Sequence, residues 1–251
     1  MRPQQFHAPH LKVLQKAAVM HIAHGVDFGV TDAEVDGVFE HDEEGFSDIL
    51  PAMSSALIQS PPKPVAERAF PLSVDQYHAM IDAGVLTEDD PVELIEGILV
   101  YKMPRKPRHS FVISKLVKAF RGLLPQGYFI RVQDPVTLKT GEPEPDLVVV
   151  RGTEDDFESK HPGPDDSALI IEVSDATLRI DRGMKLRSYA KAVIQHYWIV
   201  DLAHRCVEVC SRPNTRLSQY TERRVLSGQD ALPVILNGRK VAEITASSVL
   251  R

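Results

Sequence analysis

Two stretches of the chain repeat apolar residues at the spacing of an amphipathic helix. In residues 109–124 and again in residues 177–194, the apolar side chains recur three and four positions apart, with charged residues between them. Thr177 is the predicted N-cap of the second helix. A shorter helix is expected after Ser73, because Gln76 follows at the spacing of a capping box. The pattern therefore predicts three helices.

Short apolar runs around these helices have the length and the bounding turn residues of β-strands. Residues 91–103 predict two strands that turn at Glu96 and Gly97. Three strands are expected between the two long helices and two after the second. They are the runs YFIRVQDPVTL, PDLVVV and ALIIEVS, and then HYWIVDL and CVEVCSR. This order predicts an α/β fold with a central mixed β-sheet flanked by helices.

The first part of the chain differs from the rest in charge. Nine acids lie between Asp27 and Asp48 without a Lys or Arg among them, and residues 1–52 hold only three bases. Subtracting these from the 35 acids and 29 bases of the whole chain leaves 26 of each, so the net charge of −6 belongs to the front part. A segment containing Ser and Pro follows, as is typical of linkers. We predict an acidic, disordered and largely irregular extension over residues 1–70, and one folded domain over residues 71–251.

Composition argues against a membrane-spanning protein and against a disulfide framework. The chain is 43% hydrophobic and has no run of 18 apolar residues or apolar signal segment, so we expect a cytoplasmic protein. Its two cysteines, Cys206 and Cys210, lie four apart on one predicted strand. That spacing spans about 13 Å, too far for a disulfide, so both are expected to be packing residues. The neutral domain is not a strongly basic nucleic-acid binder, although local basic patches can still bind DNA.

Two acids interrupt runs that otherwise predict buried strands. Glu172 lies within ALIIEVS, and Asp146 directly precedes LVVV. Because an unpaired buried carboxylate costs several kcal/mol or more, each acid must be paired, protonated or placed at a strand end. If the two strands are adjacent, the carboxylates converge and suit Mg²⁺ or Mn²⁺. Alternatively, Asp146 caps a turn and Glu172 pairs with an arginine. The candidate arginines are Arg131, Arg179 and Arg182.

Two further charged residues have both a structural and a functional interpretation. Glu96 stands in the predicted turn, where a polar residue is expected, but it could also be a ligand. Lys185 lies on the helix after Glu172. It could orient a water or stabilise negative charge on a phosphate, or it could be an ordinary solvated lysine.

Five segments, in order along residues 71–251, resemble one known family. They are VELIEG, EPDLVVVRG, HPGPDD, IIEVSDATLRIDRGMKLRSYAKA and HYWIVDL. They are similar to the bacterial Uma-type restriction endonucleases of the PD-(D/E)xK nuclease superfamily. The resemblance implies a restriction-endonuclease-like core and metal-dependent hydrolysis of DNA phosphodiester bonds. It also implies that Asp146 and Glu172 hold Mg²⁺ or Mn²⁺, and that Glu96, which matches the family's early acid, serves as a further catalytic and metal-binding residue.

The same resemblance implies roles for basic residues. The lysine of the motif falls two positions after its acid, where this chain has Ser174, and Lys185 maps to a lysine that substitutes for it from the next helix. His109 matches a histidine of the family and is a further catalytic candidate. The predicted phosphate contacts precede it: Arg105, Lys106 and Arg108.

These inferences predict a Mg²⁺-dependent endonuclease that acts on DNA as a homodimer. Ser174 in place of the lysine favours an alternative, a catalytically inactive DNA-binding or assembly module with the same fold. A third interpretation assigns the acidic segment to interactions with basic partners or to mimicry of nucleic acid.

Overall fold

The computed structural model describes residues 69–250. The chain divides into two units, residues 1–69 and residues 70–251. The predicted acidic extension therefore lies almost entirely outside the described residues.

The first half of the described unit alternates short helices and strands. Its elements are α1 (Val74–Asp82), β1 (Val92–Ile95), β2 (Ile98–Tyr101), α2 (Pro107–Arg121), β3 (Tyr128–Arg131), β4 (Leu147–Arg151), a 3₁₀ turn (Glu154–Phe157) and β5 (Ser167–Ser174).

The second half opens with three consecutive helical pieces and continues mainly as strands. Its elements are α3 (Leu178–Ile180), a π-helical turn (Asp181–Lys185), α4 (Leu186–Lys191), β6 (His196–Asp201), β7 (Cys206–Asn214), β8 (Gln219–Ser227), β9 (Ala231–Leu236), β10 (Arg239–Thr245) and α5 (Ala246–Leu250).

A six-stranded mixed sheet forms the centre of the unit. Its strand order is β3-β4-β5-β6-β7-β8, and only β5 and β6 pair in parallel. Parallel neighbours need a crossover connection, and residues 178–191 supply it in helical form. The hairpins β1-β2 and β9-β10 form separate two-stranded sheets. The predicted α/β fold with a mixed sheet is confirmed.

The two faces of the central sheet carry separate hydrophobic cores. On one face, Leu116 and Phe120 of α2 pack in a cluster with Trp198, and the Phe120 and Trp198 rings lie 6.0 Å apart. On the other face, Tyr189 of α4 packs with Tyr197 of β6. Strand β5 is buried along its whole length, which explains its continuous apolar run.

Both predicted N-cap residues lie at helix starts, but they differ in their side-chain hydrogen bonds. Ser73 and Gln76 form the predicted capping box at the start of α1. Thr177 occupies the predicted N-cap position, but its backbone is helical and its side chain makes no capping bond. The Thr177 hydroxyl instead donates to Asp181 Oδ2 over 2.6 Å. The predicted continuous helix over residues 177–194 is interrupted by the π-helical turn.

The predicted turn between β1 and β2 is confirmed. Glu96 and Gly97 have φ angles of 51° and 80°, and a Cβ atom at Gly97 would lie 2.7 Å from the Pro71 side chain, so only glycine fits there. The predicted packing role of the cysteines also holds, since both Cys206 and Cys210 are free and buried. No helix within residues 69–250 is long and apolar enough to span a membrane.

Candidate active site

The register between β4 and β5 brings the two predicted site acids together. Leu147 lies opposite Ile171, so the next pair in this register is Asp146 and Glu172. Directly opposed residues of antiparallel strands point to the same side, with Cβ atoms about 4.5–5.5 Å apart. The N–H of Val173 donates to Asp146 Oδ2 over 2.8 Å and fixes that carboxylate at the end of β5.

Both acids line one open pocket of about 420 Å³. Three more acids and four basic side chains contribute to the same wall. They are Glu93, Glu144 and Asp181, together with Lys102, Arg105, His109 and Lys185. A pocket so rich in buried charge is suited to a charged ligand rather than an apolar one.

Lys185 is the ion-pair partner of Glu172. It is 5% exposed at the end of the π-helical turn, and its Nζ lies 2.9 Å from Glu172 Oε1 and 3.2 Å from Glu93 Oε1. The alternative that Glu172 pairs with an arginine is therefore wrong. Within residues 69–250, Arg131 pairs with Asp134, Arg182 pairs with Asp201 and Glu208, and Arg179 makes no ion pair.

The tyrosine of α4 completes the surroundings of Glu172. Tyr189, which is fully buried, donates its hydroxyl to Glu172 Oε1 over 2.9 Å. Burial raises the pKa of Glu172 well above its usual range, although Lys185 opposes the shift. Burial alone would lower the pKa of Lys185, but Glu172 and Glu93 raise it well above its usual value. The main cause therefore differs between the two groups: burial raises the pKa of Glu172, and the neighbouring carboxylates raise the pKa of Lys185.

Asp146 is held by a second set of donors. His109 of α2 lies with Nε2 3.0 Å from Asp146 Oδ2, and Gln133 donates to Oδ1 over 3.1 Å. Burial would raise the pKa of Asp146, but the hydrogen bond and charge of His109 and the Val173 N–H lower it below its usual value. Burial would lower the pKa of His109, and Asp146 outweighs this effect and raises it. The two side chains thus form an ion pair.

Glu96, expected as the third acid of the site, lies outside the pocket. Its carboxylate accepts hydrogen bonds from Arg187 and Lys191 over 2.7 and 2.9 Å. Glu93, on the buried strand β1, lines the pocket instead. Glu96 occupies the hairpin turn, and its carboxylate already contacts two cations. The metal-binding and catalytic role expected for Glu96 stays a prediction from the sequence.

Most of the described unit matches a known protein family. The Uma2 family, described as "Putative restriction endonuclease", matches residues 74–242. The chain belongs to the Uma2 family. A solved structure described as a putative nuclease belonging to DUF820, from Anabaena variabilis ATCC 29413, is similar with a TM-score of 0.55 and 19% identity, over 72% of this chain and 98% of that one. The curated proteins give no match. The Uma-type family and the restriction-endonuclease-like fold predicted from the sequence are confirmed.

Four residues at the site of this Uma2-family chain were not predicted from the sequence. Glu93 carries the same signal that singled out Glu172, an acid inside an apolar strand, and could have been found. Glu144 and Asp181 lie in polar segments, where acids are unremarkable. Tyr189 counted as an apolar residue of the helix, and only the fold brings its hydroxyl to Glu172.

The predicted phosphate contacts lie around the mouth of the pocket and not all within it. Arg105 is exposed and lines the pocket. Lys106 is exposed and pairs with Asp175 over 2.9 Å. Arg108 is exposed on the first turn of α2 and does not line the pocket.

The carboxylates of the Uma2-family pocket fit Mg²⁺ only if one or two of them bind the ion together with water and substrate. Within residues 69–250, no three or more His, Cys, Asp or Glu side chains stand where they could hold one metal ion together. Mg²⁺, however, commonly binds one or two carboxylates together with water and substrate phosphate. In the described part of the chain both hydrogen bonds to Glu172 end on Oε1, so Oε2 remains for another ligand.

Proposed function

We propose that the protein is a Mg²⁺-dependent endonuclease that hydrolyses phosphodiester bonds of DNA. The observation that carries this proposal is the register that sets Asp146 beside Glu172 in a pocket which also holds the buried ammonium of Lys185. Membership of the Uma2 family and the nuclease-like fold support it.

Asp146 and Glu172, with the main-chain carbonyl next to Glu172, are the proposed ligands. Bound there, Mg²⁺ would neutralise charge on the scissile phosphate and lower the pKa of a water. Lys185 holds a positive charge beside Glu172, where it stabilises the negative charge that develops on the phosphate. Glu93 and Tyr189 keep Lys185 and Glu172 in place.

His109 and the mouth of the pocket complete the proposed roles. His109 fixes the orientation of the Asp146 carboxylate through the 3.0 Å bond. Arg105 contacts a DNA phosphate at the pocket, and Lys106 and Arg108 contact flanking phosphates. Homodimeric assembly and a cytoplasmic location remain predictions from the sequence.

Nicking of supercoiled plasmid in Mg²⁺ or Mn²⁺ tests the proposal. Glu172→Gln and Lys185→Met keep approximate side-chain size and remove a charge, so each should slow nicking by about 100-fold or more. Glu243→Gln, an exposed acid of β10 that pairs with Lys240, is the matched control and should nick normally. Nicking at the wild-type rate in both pocket variants would refute the assigned site.

Ser174 favours a second candidate function, a DNA-binding or assembly module without catalysis, because the lysine of the motif is missing there. The same preparations distinguish the two functions. Wild-type protein that binds DNA in a gel-shift assay but cuts it with neither metal would establish the second function in place of the first.

A further inference from the structure

Ser174, the residue at the position of the missing lysine, contacts the helix that carries Lys185. It is 1% exposed at the end of β5, and its hydroxyl donates to Asp181 Oδ2 over 2.6 Å. Asp181 is the first residue of the π-helical turn and Lys185 is the last. Ser174, which stands in place of the motif lysine, is thus hydrogen-bonded to the helical segment that carries Lys185.

Asp181 is held at both its side chain and its main chain. Thr177 also donates to Asp181 Oδ2 over 2.6 Å, and the hydroxyl of Tyr197 on β6 donates to the Asp181 carbonyl over 3.0 Å. The carboxylate is buried, with 2% of the residue exposed, and lines the pocket. Three donors on one residue fix the first residue of the turn against β5 and β6.

Because Asp181 and Lys185 lie four residues apart in the turn, the position of Asp181 affects where Lys185 lies in the pocket. Residues four apart on a helix lie on the same side, so a fixed Asp181 determines where Lys185 enters. A π-helical turn is rare, occurs mostly as a single turn within an α-helix, and is frequently found at functional sites. Here both ends of the turn are buried charged residues that line one pocket.

We propose that Ser174 and Asp181 are positioning residues for Lys185: the Ser174 hydroxyl fixes Asp181, and Asp181 fixes the turn from which Lys185 reaches Glu172. The catalytic meaning of this arrangement rests on the function proposed above. The positioning of the Lys185 ammonium by Ser174 and Asp181 is a structural claim and does not depend on that function.

Chemical labelling of lysine tests the positioning without any need for cleavage. With an amine-reactive ester and peptide mass spectrometry, buried Lys185 should react slowly and Lys106, whose side chain is 64% exposed, should react quickly. Asp181→Asn and the double variant Ser174→Ala/Thr177→Val should speed labelling of Lys185 by about tenfold relative to Lys106, because the closed state loses buried hydrogen bonds to a charged group.

Ser188→Ala is the matched control. Ser188 is also a buried serine, it lies on α4 of the same helical segment, and its hydroxyl has no hydrogen-bond partner within the described residues. Its removal should leave labelling of Lys185 unchanged. Slow labelling of Lys185 in Asp181→Asn, or equally fast labelling in Ser188→Ala, would overturn the proposal.

Cleavage rates give the second readout. If Asp181 acts through Lys185, Asp181→Asn should slow plasmid nicking in the wild-type background and cause no further loss in Lys185→Met. Additive losses would overturn the positioning role. A wild-type protein that does not nick DNA refutes the proposed function, whereas the labelling result still decides whether Asp181 positions Lys185.

Discussion

Glu172 is buried at the centre of a β-sheet, where an isolated carboxylate would be strongly unfavourable. Lys185 and Tyr189 both donate to Oε1, so the cost of burial is offset on one oxygen only. A buried carboxylate is most stable when both of its oxygens are bonded, so Oε2 of Glu172 is the atom that a further ligand would stabilise.

Glu93 and Glu96 lie on the same hairpin but differ in their expected effect on nicking. Glu93→Gln removes a buried charge 3.2 Å from Lys185 and should slow nicking by about tenfold or more. Glu96→Gln should leave the rate within about twofold, because Glu96 contacts Arg187 and Lys191 away from the pocket. The reverse order of effects would favour Glu96 over Glu93 as the third acid of the site.

The ion pair of His109 and Asp146 predicts a pH-dependent contribution to stability. The pKa of His109 is raised, so its contribution is complete below its unfolded pKa of about 6.5 and is lost as pH rises through the folded value. The pKa of Asp146 is lowered, so its contribution is complete above its unfolded pKa of about 3.9 and is lost as pH falls through the folded value.

Urea unfolding of wild type and His109→Gln measures this contribution. The difference in unfolding free energy should be largest between about pH 4 and pH 6.5, on the order of 1 kcal/mol, and should shrink towards pH 9. A difference that does not vary with pH would show that His109 contributes packing alone.

At the scale of elements, the spacing of apolar residues located the strands and α2. Each has a buried face whose apolar residues recur at a regular interval along the sequence. Strand β5 is apolar apart from Glu172 and its two terminal serines, since both of its faces are buried. The π-helical turn left no such signal: its hydrogen bonds span one residue more than those of an α-helix, and the apolar spacing barely changes. Thr177 occupies the predicted N-cap position, but its hydroxyl bonds to the Asp181 side chain instead of a backbone N–H, and residue spacing does not reveal this choice.

The pattern of residues predicted the part of the site that depends on strand pairing, and the family resemblance added Lys185 and His109, which also line the pocket. Asp146 and Glu172 stood out as acids in apolar runs, and the sheet brings them together. The contacts of Lys185 with Glu93 and of Tyr189 with Glu172 depend on how a helix and a hairpin dock on that sheet, and the pattern of one sequence does not encode this.

Arg182, the residue after Asp181, predicts a stability effect for the helical segment. It donates to Glu208 through Nε over 2.7 Å and to Asp201 over 3.1 Å, and both acids are fully buried. Arg182→Ala leaves Glu208 with Arg223 alone and should destabilise the domain by about 1–3 kcal/mol. Urea unfolding measures this loss. Arg179→Ala is the control, since Arg179 is exposed without an ion pair in the described residues, and an equal loss there would contradict the role of Arg182.

At the scale of the whole molecule, charge is divided between two parts of the chain. Residues 1–52 carry the entire net charge of −6, and the remaining residues are balanced. Both described hydrophobic clusters lie within the second unit, between Val112 and Leu250. The second unit therefore has its own core, and the first part supplies the charge that would repel DNA.

A shortened chain that starts at Met53 keeps the core of the second unit and removes the negative charge of residues 1–52. It should bind duplex DNA several-fold more tightly than the full chain in about 10 mM salt, where charge acts over about 30 Å. The difference should vanish near 0.5 M salt, where only contact distances matter. Fluorescence anisotropy with labelled duplex measures both affinities, and equal affinities at low salt would refute electrostatic repulsion by residues 1–52. Urea unfolding of the shortened chain is the control, because a loss of stability would show that the second unit depends on those residues for its fold.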